Sequence, residues 1–160
     1  MRNWTSLAAS AAVVAVAVMP GITLAQHSGA HPHTFATAKD LKWNDTPSLP
    51  GAKLALIEGP LNEAKPFTMR IKFPANYKIA PHYHSAIEHV TVIKGEFFMG
   101  VGEKFQEGKG TGLKAGDVAI MQPKTPHFAY TKQETEVQVH GVGPWTLTYV
   151  NPADDPRKKQ

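Results

Sequence analysis

Residues 81–95 read PHYHSAIEHVTVIKG, and they carry the most informative pattern in the chain. In an extended chain alternate side chains point the same way, so His82 and His84 present both imidazoles to one face. After a short turn Glu88 begins a β-rich run, and the valines two and four positions later share its face. The predicted strand therefore directs a carboxylate into an apolar interior, where a charge is costly unless it is paired or bound to a metal.

Further short β-rich runs, separated by turn residues, lie on both sides of this stretch. Phe67–Phe73 (FTMRIKF) alternates apolar and polar residues, which predicts a half-buried strand. Gly95 stands between Glu88–Lys94 and Glu96–Val101, and we expect a tight hairpin there. The other predicted strands are Lys53–Glu58, Asp117–Gln122, His127–Thr131, Glu136–His140 and Trp145–Val150. About ten short strands without a long helix predict a small all-β barrel or sandwich.

Charge and cysteine content exclude several function classes. The chain has 160 residues, 17 Lys and Arg, 13 Asp and Glu, and no Cys, which excludes disulfides, thiolate metal sites and a cysteine nucleophile. Four basic residues lie near the termini, at Arg2 and in the segment 157–159, and the rest of the chain is balanced. This balance argues against a nucleic-acid partner, whose affinity needs clustered phosphate contacts. We expect a small-molecule ligand instead.

The first 25 residues have the pattern of a secretory signal peptide. Arg2 supplies the positive charge, Leu7–Met19 is uncharged, and Thr23–Ala25 offers small residues for cleavage. An uncleaved anchor is the alternative, but the apolar run is shorter than the roughly 20 residues that cross a bilayer. We therefore expect a periplasmic or secreted protein with no membrane span after cleavage.

Residues 26–40 are predicted to form a flexible, histidine-bearing leader. His27, His31 and His33 lie in a stretch with Gly and Pro that either captures a transition metal or only connects the cleavage site to the domain. The barrel domain is predicted over residues 41–152, followed by a charged C-terminal tail at residues 153–160.

Two imidazoles and one carboxylate on consecutive predicted strands suit Fe, Mn, Ni, Cu or Zn, and two His with one carboxylate is the ligand set of non-heme iron oxygenases. A further histidine, His127, follows Pro126 at the start of a later predicted strand.

These residues resemble the two sequence motifs of the cupin superfamily. The resemblance spans roughly residues 67–150 and rests on His82-x-His84-x3-Glu88-x6-Gly95 and Gly116-Asp117-x9-His127. It implies a small single-domain cupin-type β-barrel, also called a double-stranded β-helix or jelly roll. Asn76 and Lys124 stand where the two motifs usually have Gly, a departure that concerns turn geometry rather than metal binding. The C-terminal part of the domain is similar to small exported bacterial cupins.

The resemblance also implies a site for one divalent transition metal, with Fe, Mn or Cu favoured and Zn or Ni as alternatives. Its implied ligands are His82, His84, Glu88 and His127. Our leading hypothesis is a dioxygenase-like oxidoreductase in which Glu88 stays bound or acts as a catalytic base. The alternatives are a non-catalytic periplasmic protein that binds a metal or a small ligand, and a metal-dependent isomerase or lyase. Exposed sheet edges make a homodimer a further expectation.

Residues near the motifs are expected to have structural roles. His89 should face away from Glu88, His140 should be a satisfied histidine of the core or surface, and Tyr83 and Tyr130 should pack away from the histidines. Trp145 should cover one end of the barrel. Candidates for an apolar pocket wall are Phe67, Met69, Phe97, Phe98 and Met99. The favoured alternative is that these side chains simply belong to the core, as sulfur and rings at period two more often do.

Overall fold

The computed structural model describes residues 33–159, where the chain forms eleven β-strands, three 3-10 turns and no α-helix. The predicted signal peptide and His27 and His31 of the leader lie outside the described residues. In chain order the strands are β1 (Asn44–Asp45), β2 (Lys53–Glu58), β3 (Pro66–Phe73), β4 (Lys78–His84), β5 (Glu88–Lys94), β6 (Glu96–Val101), β7 (Thr111–Lys114), β8 (Val118–Met121), β9 (His127–Thr131), β10 (Thr135–Val142) and β11 (Leu147–Tyr149). The 3-10 turns are Ala38–Asp40, Pro152–Asp154 and Pro156–Lys158.

The strands form two antiparallel sheets that face each other. The first sheet has the order β1-β2-β3-β10-β5-β8, and the second has the order β11-β4-β9-β6-β7. Strands that are distant in sequence pair at the centre of each sheet, as in the full-length register of β3 with β10. The predicted all-β barrel is therefore confirmed.

Alternation along β3 shows why the sequence folds this way. Its four apolar side chains at positions 67, 69, 71 and 73 are buried, and the polar side chains between them are partly exposed. Arg70 on the outer face binds Glu136 of β10 at 3.1 Å. The period-two pattern thus places one face of the strand in the core between the sheets.

The predicted hairpin at Gly95 is wrong. Strand β5 pairs with β10 and β8, whereas β6 pairs with β9 and β7, so the chain passes from one sheet to the other at this glycine. Gly95 has a φ of +83°, and a Cβ atom there would lie 2.5 Å from the carbonyl oxygen of Glu134. The crossing requires glycine because the turn is left-handed and the backbone of another segment lies against it.

A second apolar layer covers the outer face of the second sheet. Phe98 stacks on Tyr130 with ring centroids 4.7 Å apart, and Phe105 of the loop between β6 and β7 packs on Phe128. The assignment of Phe98 to the pocket wall is therefore wrong, because consecutive residues of a strand point to opposite faces. Its neighbours Phe97 and Met99 do point inward, as predicted.

The segment after β11 contacts the barrel. Asp155 is buried and accepts hydrogen bonds from Arg157, whose guanidinium also donates to the carbonyl oxygen of Leu147 at 3.0 Å. Part of the predicted charged tail thus packs on the last strand. No helix among the described residues has the length and apolar character to cross a membrane.

Candidate metal centre

Three histidines converge inside one end of the barrel. His82 and His84 lie on β4, and His127 is the first residue of β9, directly opposite His82 in the register of the two strands. The pairing of β4 shifts between Ile79 and His82, so an irregularity at Pro81 sets the phase in which both β4 histidines face inward. One ligand nitrogen of each histidine lies within 4.8 Å of the other two.

Backbone carbonyls fix the tautomer of each imidazole. Every Nδ1 lies within 2.9 Å of a carbonyl oxygen, in the pairs His82 with Ala80, His84 with Thr146 and His127 with Thr125. Because a carbonyl only accepts, each Nδ1 must donate its proton, and the neutral ring then carries its free lone pair on Nε2. This arrangement is the one by which proteins orient metal-binding histidines.

Glu88 enters from the opposite sheet, where it begins β5. Its Oε2 atom lies 3.3 Å from Nε2 of His84 and 3.6 Å from Nε2 of His127, and its side chain is 7% exposed. Apart from this carboxylate, both Nε2 atoms are buried without a hydrogen-bond partner. Lone pairs of two neutral imidazoles and a carboxylate therefore face one another, which is stable only with a positive charge between them. A divalent metal fits this donor set, and in its absence a proton must bridge the groups.

The site favours the protonation states that bind a metal. Burial, together with His127 and His84 nearby, lowers the pKa of His82 to about 3, so its ring is neutral near pH 7. Burial by itself raises the pKa of Glu88, but a proton held between the carboxylate and the imidazoles of His127 and His84 outweighs it and lowers this pKa. A neutral imidazole beside an ionised carboxylate is the state required of metal ligands.

The three histidines and Glu88 line a cavity of about 30 Å³ within the barrel. The rest of its lining is apolar, apart from Trp145. Since one water needs about 10–15 Å³ of such cavity space, the cavity has room for a metal ion and only one or two small ligand atoms. Phe97 and Met99 contribute to the wall as predicted, whereas Phe67 and Met69 belong to the core beyond it.

Trp145 lies against one of the histidines. Its ring stacks on His84 with centroids 4.4 Å apart and an angle of 14° between the planes, and it also contacts Phe67. The backbone around the ring is fixed, since the backbone N–H of Trp145 donates to the carbonyl of Leu61 and the hydroxyl of Ser85 donates to the carbonyl of Pro144. The sequence assigned this residue to one end of the barrel and did not indicate its contact with His84.

Other residues near the motifs lie outside the centre. His89 faces away from the interior on β5, and its Nδ1 lies 3.0 Å from Nε2 of His140 on the neighbouring strand. Tyr130 is buried in the second apolar layer, where its hydroxyl accepts a hydrogen bond from Gly108. Tyr83 is partly exposed and alternates with the two inward-facing histidines. The placements of His89, Tyr83 and Tyr130 agree with the roles expected for them. His140 is not the satisfied histidine that was expected, because its buried Nδ1 has no hydrogen-bond partner.

The two departures from the family motifs keep the backbone that glycine provides. Asn76 and Lys124 both have φ of +59°, and they are the non-glycine residues with positive φ among residues 33–159. The backbone N–H of Lys124 donates to the carbonyl of His84 at 2.8 Å. The carbonyl of the next residue, Thr125, accepts the hydrogen bond from Nδ1 of His127. The left-handed turn at Lys124 thus helps to position two histidines.

Comparison with known proteins supports the fold. No family model and no curated protein matches the sequence. One similar solved structure is the polyketide cyclase RemF of Streptomyces resistomycificus, which is 15% identical and has a TM-score of 0.64 over 79% of this chain and 92% of that chain. Another is a candidate acetylacetone dioxygenase of Methylibium petroleiphilum PM1, which is 18% identical and has a TM-score of 0.60 over 78% of this chain and 85% of that chain. An RmlC-like cupin of Shewanella frigidimarina NCIMB 400 is 17% identical, with a TM-score of 0.54 over 76% and 96%. These similarities confirm the resemblance at the level of the fold: the chain has the double-sheet barrel of the cupin superfamily, with a buried three-histidine group that can bind a metal.

Proposed function

We propose that this chain is an exported, metal-dependent oxidoreductase of the dioxygenase type that acts on a small molecule. The observation that carries the proposal is the convergence of three oriented imidazoles and one carboxylate in an apolar cavity. His82, His84 and His127 would hold the metal, with Glu88 as the fourth ligand. A redox-active divalent metal bound there supplies activation of dioxygen. The fold similarity to a candidate acetylacetone dioxygenase supports the same reaction class.

Each protein group has a distinct task in this proposal. The carbonyl oxygens behind the imidazoles keep their Nε2 lone pairs directed at the metal. Glu88 is the carboxylate in the cavity lining, so it either binds the metal or accepts a proton from the substrate. The apolar walls exclude bulk water, which strengthens every electrostatic interaction inside the cavity.

The size of the cavity limits what reaches the metal. About 30 Å³ admits a diatomic molecule or one functional group, so the body of a larger substrate must remain at the mouth or displace a wall residue. We therefore propose substrates that present a small oxygen-bearing group, such as compact carbonyl compounds.

Metal content followed by oxygen consumption tests the proposal. The chain, purified from its producing cells without added metal, should contain nearly one equivalent of iron, manganese or copper, and it should consume oxygen with a small carbonyl or aromatic substrate. His127→Ala should lower the metal content, whereas His140→Ala, which removes a histidine outside the barrel interior, should not. No metal after purification or reconstitution would contradict the proposal, and zinc or nickel would favour isomerase or lyase chemistry.

A non-catalytic metal or small-ligand binding protein is the second candidate. The narrow cavity favours it, because a site that admits one or two atoms binds a small ligand more readily than it processes a large one. Glu88 is also the one acid–base side chain in the lining besides the three imidazoles. Tight stoichiometric metal without oxygen consumption for any substrate would favour this candidate over the enzyme.

Export is a separate part of the proposal, supported by the sequence of residues 1–25 alone. Cleavage near Ala25 predicts that the protein begins at Gln26 when it is isolated from a periplasmic fraction. Intact-mass measurement checks this prediction, and a full-length chain in the cytoplasmic fraction would contradict it.

A further inference from the structure

Trp145 carries a buried polar atom that the fold does not use. Its Nε1 atom is buried and has no hydrogen-bond partner, although its ring is fixed by the stacking on His84. An unpaired buried donor is unfavourable, because it has lost its hydrogen bonds to water without replacing them. Such an atom beside a candidate metal centre needs an acceptor that the folded chain does not supply.

The cavity otherwise presents lone pairs and apolar surface to a ligand. Nδ1 of each histidine already donates to a carbonyl, and Glu88 is a carboxylate that only accepts. Among the described side chains that line the cavity, Trp145 is thus the one with an N–H group that still lacks an acceptor. A ligand that needs a hydrogen-bond donor can find one there.

We infer that Trp145 donates its indole N–H to an acceptor atom of a small anionic or oxygen-bearing ligand held in the cavity, and so acts as a positioning and specificity-determining residue. The inference rests on the proposed metal site, because a metal bound by the three histidines would be the second group that holds the ligand. The stacked imidazole of His84 keeps the indole plane in place, so the N–H group does not have to reorganise when a ligand enters.

The size and polarity of the cavity define the ligand class. A volume of about 30 Å³ leaves room for one or two small ligand atoms beside a metal ion. A single donor favours an acceptor with concentrated negative charge, because hydrogen bonds to charged groups are the strong ones. Ligands that present a bare oxygen or halide anion should therefore bind better than neutral or bulky molecules.

Fluoride binding to the cobalt-loaded chain tests the inference. Fluoride occupies about the space of one water, accepts hydrogen bonds, and shifts the visible absorption of bound Co²⁺. Trp145→Phe keeps an aromatic ring on His84 but lacks the N–H group, so fluoride should bind about tenfold more weakly. Trp43→Phe is the matched control, because Trp43 lies under Lys72, is absent from the cavity lining, and should leave fluoride affinity unchanged.

Nuclear magnetic resonance of the zinc-loaded wild-type chain provides a readout that needs no variant. The indole proton of Trp145, assigned by its absence from the Phe variant, should move downfield on addition of fluoride while that of Trp43 stays in place. Equal fluoride affinity in the wild type and Trp145→Phe, an unmoved Trp145 resonance, or no fluoride binding to the wild type would overturn the inference and leave metal binding intact. Failure of the wild type to bind cobalt or zinc would instead overturn the proposed metal site, and this inference with it.

Discussion

Glu88 and His84 face each other from opposite sheets, with Oε2 of one 3.3 Å from Nε2 of the other. Because Nδ1 of His84 gives its proton to the carbonyl of Thr146, Nε2 of the neutral ring is an acceptor, and the carboxylate opposite is an acceptor as well. Two buried acceptors at this distance repel unless a cation or a proton lies between them. The stability of the fold and the occupancy of the site are therefore coupled.

Glu88→Gln should separate these two effects. The glutamine amide can donate a hydrogen bond to Nε2 of His84, and the substitution removes a buried charge. The metal-free protein should therefore melt at an equal or higher temperature. Loss of the anionic ligand should weaken metal binding by at least about tenfold and reduce the rise in melting temperature that the metal produces. Calorimetry with chelator and with metal measures both effects.

Glu136→Gln, which breaks an ion pair with Arg70 on the outer face, is the control and should shift the melting temperatures of the metal-free and metal-bound protein equally. If Glu88→Gln did the same, Glu88 would not be a ligand.

Acid should destabilise the metal-free protein before the carboxylates of the unfolded chain are protonated. The pKa of His82 is about 3 in the fold and about 6.5 in the unfolded chain, so the unfolded state binds the extra proton. The stability is complete above pH 6.5 and is lost as the pH falls towards 3, by roughly 3–5 kcal/mol in total.

Urea unfolding at closely spaced pH values, with chelator present, checks this dependence. His82→Gln should flatten the curve between pH 6.5 and 5. Burial and the neighbouring His89 also lower the pKa of His140, so His140→Gln should flatten the curve as well, but less, because His140 lies outside the barrel interior. A His82→Gln curve that is parallel to the wild type would contradict the assignment.

The fold could be predicted from the sequence because apolar and polar residues alternate clearly along the strands. Phe67–Phe73, Glu88–Lys94 and His127–Thr131 all contain strands close to the predicted bounds, since period two is a local property. The partners with which a strand pairs depend on distant segments, so a local pattern does not reveal them. The glycine at position 95 indicated a turn correctly, but only the pairing of β5 and β6 with different partners shows that the turn joins two sheets.

The site was predictable in part for the same reason. Spacing along β4 placed His82 and His84 on one face, alternation along the next strand turned Glu88 inward, and the family resemblance added His127 as a ligand. The structure brings the three histidines into one group and places Glu88 beside His84 and His127. The carbonyls behind His82 and His127 lie only two residues before each histidine. The carbonyl of Thr146 and the ring of Trp145, which both contact His84, come from a segment distant in sequence, and no local pattern indicates them.

Lys124→Gly should stabilise the fold. Lys124 is exposed and has φ of +59°, a left-handed conformation that a residue with a Cβ atom adopts at a cost. Glycine removes this strain but loosens the unfolded chain, and we expect a net gain of about 0.5–1 kcal/mol, with metal affinity unchanged. Lys104→Gly is the control, because Lys104 is exposed in a loop, does not itself have a positive φ, and should gain nothing. Chemical denaturation measures the free energy of unfolding of both variants. A loss of stability in Lys124→Gly would show that the backbone at Lys124 is not strained.

Gly100→Ala should disturb the metal centre through the outer apolar layer. A Cβ atom at Gly100 would overlap the ring of Phe128, which is 1% exposed and follows His127 directly in β9. The ring must move, at a cost of about 1–3 kcal/mol, and the start of β9 moves with it. Gly59→Ala is the control, since a Cβ there meets only the flexible end of Leu56 at 3.3 Å. Adding Phe128→Leu to Gly100→Ala should recover part of both the melting temperature and the metal affinity. A double variant no better than Gly100→Ala alone would show that the overlap is not what connects this layer to His127.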